Sequence, residues 1–236
     1  MSVWPLIALP GTLLDGRSLS ALLQGHDAQT LILGDCASLD DELDRLAAFL
    51  PGPTPAVWLG HSLGGIVALH LALRHPDKVG ALVLLGANAR AGRDSSQARR
   101  DAQWALASKE GLPALAHSKL APGYGLAEND TALASLVAQA ETVGLLRFAN
   151  QLAYAHQRAG MLAPRRPLHL PVLCLSGEHD DLCPPAQSDD IVALVEPPHT
   201  AFHHCLGGAG HLFPMQQPTQ SAAHLNTFLR HLKDLR

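Results

Sequence analysis

The chain has 236 residues, of which 47% are hydrophobic, and its formal net charge is −4. That length and apolar content are enough for one sizeable core in a single domain with an inserted subdomain. The weakly acidic balance gives no indication of the basic surface that a nucleic-acid binder or a protein held on an anionic membrane requires. We therefore expect a protein that acts on a small molecule, with neither nucleic acid nor membrane as a partner.

The amino-terminal stretch and the cysteines favour a cytoplasmic protein. The stretch that begins "MSVWPLIALPG" has no basic lead-in and no cleavage site, and Pro5, Pro10 and Gly11 interrupt it. No later segment is an uninterrupted apolar run long enough to cross a bilayer. The four cysteines are widely spaced without a Cys-x-x-Cys pair, which predicts reduced thiols.

Short apolar runs alternate with longer amphipathic segments over most of the chain. This alternation is typical of parallel strands that are buried on both faces and joined by crossover helices. The predicted strands are 3–9, 29–33, 56–59, 81–85, 172–176 and 200–205. The predicted helices are 16–23, 39–50, 64–74, 186–195 and 218–232. Ser38 and Asp41 are spaced as a capping box for the second of these helices.

The alternation stops between residues 88 and 167, where the pattern is helical and contains no convincing strand. We predict a core domain over 1–87 and 168–236 and a helical insertion over 88–167. Because the insertion leaves after one strand and returns before the next, it should lie over the carboxyl ends of the strands, where open α/β sheets bind ligands. A lid is the favoured interpretation, and a helical excursion with no role in binding is the alternative.

A serine stands between two glycines in the segment Gly60-His61-Ser62-Leu63-Gly64. A G-x-S-x-G motif is short enough to occur by chance, so the segments around it decide whether it marks a nucleophile. Here it follows the apolar run "PAVWL" and opens the helical pattern "GIVALHLALRH", which is the strand, turn and helix that a nucleophilic serine needs. Glycine at positions 60 and 64 removes side chains that would collide on such a turn. The pattern predicts that Ser62 is a nucleophile.

A nucleophilic serine needs a histidine base and a carboxylate that orients it. The segment "VLCLSGEHDDLCPP" ends a predicted strand and presents Glu178, Asp180 and Asp181. The segment "AFHHCLGGAGHLFPM" ends the last predicted strand and presents His211 in a glycine-rich loop. The chain order is then serine, acid, histidine.

Three segments together resemble the α/β-hydrolase superfamily, in particular its small lidded serine esterases. "GHSLGG" is similar to the nucleophile elbow, "SGEHDDLCP" to the acid loop and "GAGH" to the histidine loop. The resemblance covers nearly the whole chain and assigns Ser62 as nucleophile, Asp180 as acid and His211 as base. It implies an α/β-hydrolase fold with a mostly parallel sheet of about six strands, helices on both faces and a helical lid. The family's antiparallel edge hairpin is expected to be absent.

An oxyanion hole requires two backbone amides directed at the carbonyl oxygen as it gains charge. One is expected from Leu63, the residue after the nucleophile. By resemblance, the other comes from the loop after the first strand, where "LPGT" makes Thr12 the donor. Pro10 stands where the family usually has a histidine and cannot offer a side-chain hydrogen bond to support that loop.

The leading hypothesis is a serine hydrolase that cleaves a carboxylic ester or thioester of a small molecule through an acyl-enzyme, with no cofactor and no metal. A carbon–carbon bond hydrolase or lyase that uses the same triad is an alternative within the fold. A receptor that binds a ligand with little turnover is an alternative from another class. The length and lid placement resemble esterases that trim methyl esters from carrier-bound acyl chains, so a carrier-bound acyl group is a candidate partner.

Several other polar side chains are expected to have structural roles or no role in the chemistry. We expect His61 to pack rather than react, and His179 cannot easily reach both Asp180 and the serine. Cys183 has no assigned role. His203, His204 and Cys205 resemble metal ligands only as a string, because successive strand residues face opposite sides.

Two groups in the insertion have open interpretations. The arginines either bind an anion such as a carrier phosphate or form a solvated helix face; they are Arg90, Arg93, Arg99 and Arg100. The large apolar residues either line an acyl pocket or form the core of the insertion; they are Trp104, Leu106, Leu145, Phe148 and Leu152.

Overall fold

A computed structural model describes residues 4–50, 52–92, 97–126 and 131–235. Within these ranges six strands form one sheet in the order β2-β1-β3-β4-β5-β6, and every neighbouring pair is parallel. The strands are β1 Leu6–Leu9, β2 Ala28–Thr30, β3 Ala56–His61, β4 Val79–Leu85, β5 Val172–Gly177 and β6 Ala201–Leu206. The predicted parallel sheet of six strands is confirmed.

The observed strand bounds differ from the predicted ones at the edges. Val3, the predicted start of the first strand, lies outside the described residues, and β1 begins at Leu6, directly after Pro5, which has no N–H to donate. β2 is an edge strand that ends at Thr30, before the chain turns at Gly34 with φ 110°. β3 and β5 run one or two residues further than predicted, which carries their motifs to the carboxyl edge of the sheet.

The helices of the core cover both faces of the sheet. They are α1 Arg17–Ser20, α2 Leu39–Phe49, α3 Leu63–Arg74, α8 Pro185–Val192, α9 Phe213–Gln216 and α10 Pro218–Asp234, with a 3₁₀ turn at Pro76–Lys78. The helix predicted over 16–23 was too long, since hydrogen-bonded turns follow α1 up to Gly25 with φ 83°. The helix predicted over 186–195 ends earlier, at Val192.

Ser38 begins α2 as its N-cap residue. The Asp41 amide donates to Ser38 Oγ at 3.1 Å, as the capping box predicts. The reciprocal contact differs, because the Ser38 hydroxyl itself donates to Asp41 Oδ2 at 2.6 Å. Three acidic residues in the first turn of α2 add a favourable interaction with the helix dipole.

Alternate strand residues face two apolar clusters, one on each side of the sheet. Trp58, Leu84 and Cys174 belong to the cluster that packs on α2 and α3. Leu59 and Leu175 belong to the opposite cluster, which packs on α10. Near-continuous apolar strands are expected for a parallel sheet covered on both faces, which explains the short apolar runs of the sequence.

Between β4 and β5 the described chain is mostly helical, and we call residues 97–126 and 131–157 the helical region. Its helices are α4 Gln97–Glu110, α5 Leu112–Leu115, α6 Ala121–Gly123 and α7 Thr131–Gln157, with a π-helical turn at Ala116–Leu120. A third buried cluster joins the helical region to Leu13, Leu14 and Leu212, which lie on loops after β1 and β6. The helical region therefore packs over the carboxyl ends of the strands.

The helix α7 is long and apolar. An 18-residue window within Ala132–Gln157 has a mean hydropathy of 1.2, so by length and composition alone this helix could cross a membrane. The helix is interrupted at Gly144, with φ 81° and ψ 164°. Gln139 and Gln151 are 0% and 1% exposed and hydrogen-bond loops of the core. This pattern is typical of a packed helix.

Candidate active site

Ser62 lies on the sharp turn between β3 and α3. Its backbone angles are φ 53° and ψ −117°, a conformation that is costly for a residue with a side chain and is found mainly at functional sites. A Cβ atom added to Gly60 would lie 2.4 Å from the Gly64 carbonyl carbon, and one added to Gly64 would lie 2.0 Å from the Leu9 carbonyl oxygen. The steric role predicted for both glycines is confirmed.

The structure brings Ser62, His211 and Asp180 into one hydrogen-bonded chain. His211 Nε2 lies 2.9 Å from Ser62 Oγ, and His211 Nδ1 lies 2.7 Å from Asp180 Oδ2. An ionised carboxylate only accepts hydrogen bonds, so Nδ1 carries the hydrogen and the Nε2 lone pair faces the serine hydroxyl. In this tautomer the imidazole is placed to accept the proton of Ser62.

Three donors hold Asp180 as an ionised acceptor. Besides His211, the backbone amides of Leu182 and Cys183 donate to Asp180 Oδ1 at 2.9 and 2.8 Å. Burial acts to raise the pKa of Asp180, but the hydrogen bonds from His211 and the two amides leave that pKa below its usual value. Asp180 is 2% exposed, whereas the neighbouring Asp181 is exposed to solvent. The two neighbouring carboxylates are therefore in different environments.

Thr12 and Leu63 line the same cavity as Ser62. Thr12 lies on the loop after β1, and Leu63 is the first residue of α3, so its amide is at the positive end of that helix. Within the described ranges neither backbone amide donates a hydrogen bond to another protein group. Both amides are therefore without a backbone or side-chain acceptor among the described residues, beside a cavity that Ser62 also lines.

Two aromatic rings flank the His211 imidazole. The His61 ring centroid lies 5.1 Å from that of His211, and His61 Nε2 donates to the His211 carbonyl oxygen at 3.0 Å. Burial, followed by the neighbouring His211, lowers the pKa of His61 to about 3. His61 is therefore neutral and packs beneath His211, as predicted. On another side the Tyr124 ring stacks at 5.2 Å with an interplanar angle of 25°.

The cavity in front of Ser62 has a volume of about 260 Å³. Residues from the helical region form much of its wall, including Tyr124, Gln151, Leu152 and Ala155. Of the apolar residues predicted as pocket or core, Leu152 lines the cavity and Phe148 is fully buried in the third cluster. Trp104 and Leu145 are each 39% exposed, and Leu106 packs at the edge of that cluster.

The predicted arginine cluster divides into separate environments. Arg99 and Arg100 line the cavity. Arg100 is 7% exposed and donates to the Gly92 carbonyl oxygen at 2.8 Å, so the expectation of a solvated helix face is wrong for this residue. Arg90 instead pairs with Asp190 at 3.1 Å, and Arg93 lies outside the described residues.

Two further cations, Lys119 and Arg158, line the cavity and were not identified in the sequence. Arg158 donates through Nε to the Arg90 carbonyl oxygen at 3.0 Å, and burial lowers its pKa below the usual value. No acidic side chain is among the described residues that line the cavity. The resulting environment favours a negatively charged ligand group.

The remaining candidate residues have structural surroundings. His179 is exposed and lies 3.9 Å from Glu178. His203 bonds Ser176 Oγ at 2.8 Å and Asp189 Oδ1 at 2.7 Å, and the His204 ring stacks on His224 at 4.2 Å. Across the described part of the chain no group of three or more potential metal ligands is assembled.

All four cysteines are free thiols. Cys183 lines the cavity but is 5% exposed, and burial raises its pKa to about 12. A thiol with a raised pKa carries little thiolate at neutral pH and is a poor nucleophile. The structure therefore gives no reactive role to Cys183.

A parallel sheet with a serine on a strained strand-to-helix turn, joined through histidine to a buried aspartate, defines an α/β hydrolase. Comparison with known families agrees: the model for the family "Serine aminopeptidase, S33" matches residues 24–214. The chain belongs to this family of the α/β-hydrolase superfamily.

The chain is also similar in sequence to individual curated proteins. The "Biotin biosynthesis bifunctional protein BioHC" of Teredinibacter turnerae is 28% identical over 218 residues, which are 83% of this chain and 36% of the relative. The "Pimeloyl-[acyl-carrier protein] methyl ester esterase" of Chromobacterium violaceum is 43% identical over 74 residues, 31% of this chain and 28% of the relative. The chain thus matches about a third of the length of these relatives.

A thermophilic esterase from Thermogutta terrifontis has the same fold. Its structure aligns with a TM-score of 0.80 at 20% sequence identity, covering 98% of this chain and 91% of that chain. This agreement over almost the full length of both chains shows that they share one fold.

Proposed function

We propose that this protein is a serine hydrolase that cleaves a carboxylic ester or thioester through an acyl-enzyme intermediate. The observation that supports it most is the hydrogen-bonded chain from Ser62 Oγ through His211 to Asp180, next to a cavity. Each contact is short enough for proton transfer or for orientation of the imidazole. Relatives named as esterases have similar sequences.

In the proposed mechanism His211 Nε2 removes the proton of Ser62 as Oγ attacks the carbonyl carbon. The amides of Thr12 and Leu63 bind the oxyanion of the tetrahedral intermediate. Asp180 stabilises the imidazolium, which then gives its proton to the departing alcohol or thiol. A water molecule, deprotonated by His211, attacks the acyl-enzyme and releases the acid. All these steps use groups of this chain, without metal or cofactor.

Residues 88–167 act as a lid in this proposal, over a core of residues 1–87 and 168–236. Tyr124 and Leu152, from the helical region, line the cavity in front of Ser62. Their position would determine the shape of the acyl pocket and exclude water from the imidazole face. The chemical groups come from loops of the core, so the lid contributes selection of the substrate.

A carrier-bound acyl group is the substrate class that the cavity favours. Arg99, Lys119 and Arg158 line it, and guanidinium and ammonium groups bind phosphates and carboxylates. The phosphate of a carrier would supply the matching negative charge. A relative named as a pimeloyl-[acyl-carrier protein] methyl ester esterase supports the same class.

The proposal is tested with short p-nitrophenyl esters and the variant Ser62→Ala. We expect the wild-type chain to hydrolyse these esters and Ser62→Ala to lose at least about 10³-fold in kcat/KM. Ser20→Ala removes an exposed hydroxyl that does not line the cavity and serves as the matched control. Equal rates for Ser62→Ala and wild type, purified from the same host, would refute the proposal.

A fluorophosphonate probe separates an enzyme from a receptor. Such probes phosphonylate activated serines, so we expect one adduct, on the peptide that carries Ser62. A folded wild-type protein that takes up no label would instead favour the receptor alternative.

A further inference from the structure

The loop after β1 carries Thr12, and the next residue, Leu13, has an unfavourable backbone conformation. Leu13 has φ 57°, in the left-handed region that bulky side chains rarely occupy. Such a conformation persists only where its surroundings determine it. The side chain of Leu13 is 0% exposed and packs in the third cluster, between the loop and the helical region.

Gln151 of α7 contacts this loop from a distant part of the sequence. Its Oε1 accepts a hydrogen bond from the Leu13 amide at 2.9 Å, and its Nε2 donates to the Leu33 carbonyl oxygen at 2.9 Å. The side chain is 1% exposed, so water does not compete for either bond. One glutamine thus joins the loops that follow β1 and β2.

The Leu13 amide hydrogen lies in the peptide plane that begins with the Thr12 carbonyl. The hydrogen bond to Gln151 holds this planar peptide group in place. It therefore limits rotation about the N–Cα and Cα–C bonds of Thr12, and this limits the directions in which the Thr12 N–H can point. Pro10 offers no side-chain donor to the same loop. Gln151 supplies the polar support from the helical region.

We propose that Gln151 is a positioning residue that directs the Thr12 amide at the oxyanion. The inference rests on the proposed serine hydrolase and adds that the oxyanion hole is complete only when α7 packs on the loop. The helical region then contributes to the chemical step as well as to the shape of the cavity.

The variant Gln151→Met tests this role, because methionine matches the length of glutamine and makes neither hydrogen bond. For a short p-nitrophenyl ester we expect kcat to fall about 10- to 100-fold, since a misdirected oxyanion donor loses most of its contribution. KM should change less than about threefold, because ground-state binding does not depend on this donor. Affinity for an alkyl boronic acid, which mimics the tetrahedral intermediate, should fall in parallel with kcat.

Gln157→Met is the matched control on the same helix. Gln157 Oε1 accepts from the Leu39 amide at 2.8 Å, away from the loop after β1. This variant should keep the wild-type kcat and boronic acid affinity. Gln151→Asn, whose amide is too short to reach both partners, tests the same prediction if Gln151→Met does not fold.

The outcomes distinguish the positioning role of Gln151 from the proposed hydrolase activity. Wild-type kcat and boronic acid affinity in a folded Gln151 variant would overturn the positioning role and leave the hydrolase proposal standing. An equal loss in Gln157→Met would also overturn it, since the effect would then come from α7 as a whole. A wild-type protein that hydrolyses no ester and leaves Ser62 unlabelled would overturn both.

Discussion

The sheet and the helical region hold their groups around the cavity in different ways. Asp180 and His211 lie on short loops at strand ends and are each 2% exposed. Arg99 and Lys119 lie on exposed helix faces and have long side chains with many rotamers. Nucleophile and base must be fixed closely for reaction, whereas a cation on a long side chain can adjust to a substrate. We infer that the core fixes the chemistry and the helical region selects the substrate.

Gln151 is an exception to this division. It comes from the helical region but is as buried as the core groups and bonds the backbone beside Thr12. The two regions are therefore joined at the loop after β1.

Replacing the buried carboxylate should have the largest effect. Asp180→Asn removes the acceptor that fixes the His211 tautomer, so we expect kcat to fall by about 10³- to 10⁴-fold. Asp181→Asn changes the exposed neighbour and should stay within about twofold of wild type. Ester hydrolysis rates measure the effect of each substitution on kcat. Similar losses in the two variants would contradict the assignment of Asp180.

A side chain at Gly64 should damage the fold of the core. Its Cβ atom would overlap the Leu9 carbonyl oxygen, so Gly64→Ala should destabilise the protein by about 3 kcal/mol. Gly123→Ala, in the helical region, places its Cβ where no atom lies within 4 Å and should leave stability nearly unchanged. Urea unfolding compares the two variants. Equal free energies of unfolding for Gly64→Ala and Gly123→Ala would show that the turn at Ser62 is not tightly packed.

Removing the cations that line the cavity should change substrate recognition without changing the chemistry. Arg158→Gln, or Arg99→Gln combined with Lys119→Gln, should raise KM about tenfold for a methyl ester whose acyl chain is linked to phosphopantetheine. The uncharged methyl ester of the same acyl chain should keep its KM. Arg90→Gln removes a nearby charge that pairs with Asp190 outside the cavity and is the control. A uniform change for both substrates would refute anion recognition.

Lowering the pH should destabilise the core through His61. The folded pKa is about 3, below the usual value of 6.5, so between these values only the unfolded chain binds the proton. Stability therefore falls as the pH drops below 6.5, by at most about 1.4 kcal/mol per pH unit from this group. His61→Gln should make the decline from pH 6.5 to 4.5 shallower. Urea unfolding of wild type and His61→Gln at both pH values measures this decline. Equal losses of unfolding free energy in the two proteins would contradict the role given to His61.

The sequence predicted the candidate triad because each of its members lies in a local motif at a strand end. Ser62 is marked by glycines at 60 and 64, and the acid and histidine loops follow apolar runs that can be recognised as strands. The backbone geometry of each turn depends on neighbouring residues, so short segments carry the information. The sheet could be predicted for the same reason.

The contribution of the helical region could not be predicted in the same way. Tyr124 stacks on His211, and Gln151 bonds Leu13 across 138 positions of the chain, with no local signal for either contact. Helical periodicity indicates that a face is apolar but not which loop it covers. Arg100 had the sequence context of a solvated or anion-binding residue, yet it is buried against the Gly92 carbonyl oxygen.

The proposed mechanism requires Ser62 to form a covalent acyl-enzyme. The most direct test mixes the protein with excess p-nitrophenyl acetate, quenches the reaction in acid within milliseconds to seconds, and maps the digested protein by mass spectrometry. The account predicts an acetyl group on Ser62 and none in Ser62→Ala. Ester turnover with no adduct at Ser62 at any quench time, or with the acetyl group on another residue, would contradict it.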